Sequence, residues 1–134
     1  MKTIRHSLLA AALFALVGCG GSSYHLMGRG QAAGTDAQLQ VASVAGDNRR
    51  VDLDVQHLPP PNRLGAGFET YHVWIAPAGG TPVLAGRLHY DADDRRGRLT
   101  TITPHDNFRI MVTPEPRGSS YPTGQVVLEH YVGG

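Results

Sequence analysis

The stretch "RRVDLDVQHL", residues 49–58, alternates apolar and polar side chains with a period of two. Successive side chains of an extended chain point to opposite faces, so Val51, Leu53 and Val55 share one face and Asp52, Asp54 and Gln56 the other. At 3.6 residues per turn a helix would scatter both sets. One dry face and one charged face mark a half-buried antiparallel strand, which needs partners. The chain supplies them at 37–44, 68–78, 81–92, 98–104, 108–116 and 125–132. The stretch 68–78 is apolar on both phases near Val73 and Trp74, as a central strand should be.

The intervening residues are breakers. Pro59, Pro60 and Pro61 cannot donate to a ladder, Gly79-Gly80 permits positive φ in a tight connection, and His105-Asp106-Asn107 supplies turn chemistry. Seven short strands with a turn signal about every ten residues predict an all-β, immunoglobulin-like antiparallel β-sandwich over 37–134, with a small β-barrel as the alternative. Trp74 falls in the third strand, where such sandwiches often bury a tryptophan. Pro114 and Pro116 predict that the sixth strand leaves its ladder there, because successive donors are missing.

The beginning of the chain has a different character. Lys2, Arg5 and His6 precede an apolar run of about a dozen residues, the proportions of a signal peptide and too short to cross a ~30 Å hydrocarbon core. The run ends at Leu16-Val17-Gly18-Cys19, and Cys19 is the only cysteine. This segment resembles the lipobox of bacterial lipoproteins. The resemblance implies cleavage after Gly18 and a diacylglycerol thioether on Cys19; the alternative is a buried cysteine closing an ordinary signal peptide. Each buried methylene contributes about 0.8 kcal/mol, and two or more acyl chains hold a protein stably. The expected partner is therefore a membrane, reached through a lipid anchor. Gly20 after the cysteine resembles sorting signals for the outer membrane, with the domain facing the periplasm. Residues 19–36, rich in glycine, serine and alanine, are expected to be a lipidated flexible tether, in which Tyr24, Leu26 and Met27 are the residues able to cover an edge of the domain.

Cleavage also changes the electrostatics. Two of the twelve Lys and Arg lie in residues 1–18 and none of the eleven Asp and Glu, so the mature chain carries ten against eleven, a net −1. A sequence pI near 8.0 therefore gives no ground for expecting a nucleic-acid partner.

Beyond these patterns, a set of features in order is similar to the C-terminal extracytoplasmic domain of the anti-sigma-K factor family. It comprises Leu58-Pro59, Tyr71 and Trp74, Gly79-Gly80, Gly86, Glu115-Pro116 and Pro122-Thr123-Gly124, and it spans roughly Leu39 to Leu128. The resemblance implies a fold and an extracytoplasmic setting. Members of that family carry a sigma-binding region and a transmembrane helix before this domain, whereas here a lipoprotein signal stands in their place, so sigma sequestration is not carried over. The expectation is a protein-interaction or envelope-sensing module with an envelope protein as partner.

Candidate chemistry is sparse. His25, His57, His72, His89, His105 and His130 raise a metal- or small-ligand-binding alternative, but no pair stands at i, i+2 or i, i+4. Asp91 and Asp93 begin a calcium-loop pattern that Arg95 interrupts, and a solvated hairpin turn is expected instead. There is no Gly-x-Ser-x-Gly, and the expectation is a non-enzyme with no cofactor and no resident metal. A structural spacer in the envelope is the plainest alternative. Two places invite contact with a partner: His72 and Trp74, which should share a strand face, and Arg117 and Tyr121 in the loop 115–124, residue types favoured at interface hot spots.

Overall fold

The computed structural model describes residues 21–133. Their period-two stretches form strands β1 (Ser22–Met27), β2 (Asp36–Val44), β3 (Asn48–Gln56), β4 (Thr70–Pro77), β5 (Val83–Arg87), β6 (His89–Asp91), β7 (Arg96–Thr103), β8 (Phe108–Glu115) and β9 (Leu128–Val132). Short 3-10 turns lie at Gly30–Ala32 and Pro61–Arg63. Every pairing is antiparallel. One sheet has five strands in the order β1-β2-β3-β7-β6, the other four in the order β5-β4-β8-β9.

The described fold is thus all-β and sandwich-like. Inward residues of both sheets share an apolar core, with Leu39, Val51, Leu53 and Val55 from the five-stranded sheet and Tyr71, Val73, Ile75, Ile110 and Val112 from the other. Burying each aliphatic side chain contributes about 1.5–3 kcal/mol. A one-residue slip of β3 would exchange Val51, Leu53 and Val55 for Asp52 and Asp54, so the alternation also fixes the register against β2 and β7.

Four expectations change in three dimensions. Residues 22–27, expected within a flexible tether, form β1 in full register with β2 from Ser22 opposite Val41 to Met27 opposite Asp36. Leu26 is buried and Tyr24 packs on the core, so apolar burial offsets the entropy of ordering this segment. The single strand expected at 81–92 is two strands in different sheets. The chain crosses at Leu88, which is buried and donates its backbone N–H to the Tyr71 carbonyl. Pro114 remains inside β8, opposite Tyr71 and beyond the last pair with β9, Val112 with Leu128, so no β9 residue needs its missing donor. Trp74 is buried, but on the opposite phase from Tyr71, Val73 and Ile75 and outside the shared core.

Candidate functional site

The outer face of the four-stranded sheet gathers the residues that carry chemistry. β4 and β8 are its central strands, paired Thr70 with Glu115, His72 with Thr113 and Trp74 with Met111. These six residues point away from the shared core. Yet His72, Trp74, Thr113 and Glu115 are each 0 % exposed.

A chain of hydrogen bonds explains the polar members. The Trp74 Nε1–H donates to Thr113 Oγ1 at 2.8 Å, and the Thr113 hydroxyl donates to Glu115 Oε2 at 2.6 Å. The carboxylate also accepts the Thr123 backbone N–H at 2.9 and 3.1 Å, the Thr123 hydroxyl, and the Gly124 backbone N–H at 3.0 Å. Burial alone would raise the pKa of Glu115, but these donors outweigh it and hold the carboxyl below its usual range. Glu115 is therefore a buried anion solvated by neutral dipoles.

Glu115 points outward, so the residues bonding it lie on the outer face. The segment 116–126 between β8 and β9 is thus a strap drawn onto that face through Thr123 and Gly124. Gly124 is required by close approach, because a Cβ there would meet the Pro114 carbonyl oxygen at 2.0 Å. At its far end Val127 donates its N–H to the Val112 carbonyl and leads into β9. Glu115-Pro116 and Pro122-Thr123-Gly124, separate motifs in the sequence, are the two halves of this clasp.

His72 sits on the same face without such support. Neither ring nitrogen has a hydrogen-bond partner, and the ring lies 5.5 Å from that of Trp74, tilted by 58°. Burial lowers its basicity, the Glu115 charge raises it, and Arg87 lowers it; the net direction is down.

Of the four expected contact residues, His72 and Trp74 share a strand face as expected and are sealed, whereas Arg117 and Tyr121 are open. Tyr121 is 67 % exposed. The Arg117 guanidinium lies 3.2 Å from Glu69 Oε2, and its backbone carbonyl accepts from the Arg87 guanidinium at 3.1 Å. Sequence reasoning missed Thr113, Glu115 and Thr123 as one unit. The available signal was a lone acid, Glu115, on the outward phase of a strand also containing Met111 and Thr113.

The other candidates are dispersed. His57 Nδ1 lies 2.8 Å from Asp36 Oδ1 and His25 Nε2 3.9 Å from Asp36 Oδ2, on the far sheet. Among the described residues, no group of three or more His, Cys, Asp or Glu side chains is placed to hold a metal ion. Asp91 caps its own turn by accepting the Asp93 and Asp94 amides. Cys19 and the signal segment lie outside the described residues. Among those residues no helix is long and apolar enough to cross a membrane. No family model matches the chain, and neither a curated protein nor a solved structure matches it.

Proposed function

We propose that this chain is a lipid-anchored envelope protein whose β-domain is a non-catalytic protein-interaction or envelope-sensing module. The observation that carries the reading is the clasp. A buried carboxylate fastens the strap that presents Tyr121 and Arg117 to solvent. A loop held in one conformation before it meets a partner loses less entropy on binding, and exposed Tyr and Arg are effective anchors. The strand order supports an immunoglobulin-like topology: β2-β3-β7-β6 corresponds to A-B-E-D and β5-β4-β8-β9 to C′-C-F-G, with β1 added at the edge. The lipid anchor rests on Cys19 and its neighbours, and the extracytoplasmic setting on that anchor and the resemblance to anti-sigma factor domains.

A photocrosslinking residue placed at Tyr121 in cells, with one at Gln40 on the opposite sheet as control, tests the interaction. The expected result is a discrete adduct from position 121, absent at 40 and weakened by Arg117→Ala. No adduct, or the same adducts from both positions, would remove the proposal. Metabolic labelling with an alkynyl fatty acid, lost in Cys19→Ser, tests the anchor.

A further inference from the structure

We propose that the strap 116–126 is an acid-released latch, in which protonation of His72 on the face beneath favours its detachment from β4 and β8. The inference rests on the interaction reading of this face, because the latch holds the residues that present Tyr121 and Arg117.

Three observations carry it. First, His72 is sealed with both ring nitrogens unpartnered. A neutral imidazole already has one N–H without an acceptor; an imidazolium has two, together with a charge. Opening the strap gives all of these water. Second, the part of the strap over this face is fastened at one group, the Glu115 carboxylate, through Thr123 and Gly124, while its start is held at the exposed Arg117 by Arg87 and Glu69. Release at Glu115 frees the Thr123–Gly124 portion, and the contacts of Arg117 are exposed and replaceable by water. Third, the charged groups around His72 do not supply a matched partner. Glu115 on β8 attracts a proton to His72 but is engaged by Thr113, Thr123 and Gly124. Arg87, paired opposite His72 on β5, repels it, and is tied by its guanidinium to the carbonyl of Arg117 on the strap. On β4 itself the neighbour on this face is the Trp74 ring.

The direction follows from linkage. Closed, His72 has a pKa below its ordinary 6.5; open and solvated, it returns to that value. The closed form binds fewer protons, so its advantage falls as pH drops from about 6.5, by up to about tenfold per pH unit, until the closed-state value is passed. Glu115 acts in a different window. Its lowered pKa means that its contribution is lost only as pH falls through a value below its ordinary 4.5. Of these two groups, His72 is the one that responds as pH first falls below 6.5.

Trp74 is the only tryptophan in the chain and lies on the covered face, so it reports opening. Acrylamide quenching of Trp74 in the full lipidated chain in nanodiscs, between pH 7.5 and 5.0, provides the test. The expected result is a rise of at least about threefold in the quenching constant with unchanged far-ultraviolet circular dichroism, absent in both His72→Leu and His72→Gln. Two substitutions of different polarity keep the test valid if one disturbs folding. A flat wild-type profile, or an equal rise in both variants, would overturn the latch. The neutral-pH crosslink from position 121 is read separately. If the crosslink stands and quenching is flat, only the latch fails; if quenching rises without a crosslink, the interaction reading fails and the latch remains.

Discussion

The two sheets of this protein obey the same alternation and put their outward polar residues to opposite use. On the five-stranded sheet they keep contact with water and pair along and across the strands. Thr100 donates to Asp52 at 2.6 Å, Arg50 Nε lies 3.0 Å from Asp52, and Arg96 donates through two nitrogens to Asp54, whose carboxyl is lowered chiefly by that hydrogen bond. On the four-stranded sheet Trp74, Thr113 and Glu115 are sealed and joined in a chain that runs on to the strap. Water can replace any partner lost from the first face, whereas nothing replaces a partner lost from the second. Exposed ion pairs therefore contribute about 0–1 kcal/mol, while a buried acceptor stripped from its donors carries a desolvation penalty for every group left behind.

This contrast sets the order of expected effects. Glu115→Ala leaves the Thr123 and Gly124 amides and the Thr113 hydroxyl without their acceptor and opens a void. Chemical denaturation should show a loss of about 3–5 kcal/mol. A loss below about 1 kcal/mol would mean that the clasp is as replaceable as the exposed face. Gly124→Ala should destabilise by about 1–3 kcal/mol, because its Cβ meets backbone rather than a flexible side-chain end. Increased hydrogen exchange at the Thr123 amide should accompany it.

Acid should separate the faces further. With the Glu115 pKa depressed, its stabilisation is complete above 4.5 and lost as pH falls through its folded-state value. Glu115→Gln should therefore flatten the acid limb of stability measured below pH 4.5, relative to the native chain. Smallest of all, Asp54→Asn on the five-stranded sheet should cost at most about 1 kcal/mol, since Asp54 and Arg96 are both about a third exposed and screened by solvent. Adding 0.5 M salt should shrink even that difference.

Much of the architecture was legible because strand formation is written in local periodicity. Val51, Leu53 and Val55 declare their face without reference to anything distant, and the apolar phases around Val73 correctly mark β4 as central. β1 was harder to see. Tyr24 and Leu26 are two inward residues in a stretch of small and flexible ones, and their value appears only once β2 offers them an edge and the core a surface. The break at Leu88 was hidden for the same reason: 81–92 looks continuous until two sheets compete for its halves.

The candidate site divides in the same way. That His72 and Trp74 share a face follows from their spacing alone, as does the outward phase of Glu115 on β8. Which side of the sheet would cover Trp74, and what would satisfy Glu115, depended on the return path of the chain through Pro122, Thr123 and Gly124. Sequence by itself determined most of the strands, with their dry faces and turns, because side-chain direction and backbone freedom are properties of neighbouring residues. Only the tertiary structure decided that an outward face would be closed over a carboxylate and an unpartnered histidine, because burial is set by whatever other part of the chain excludes the water.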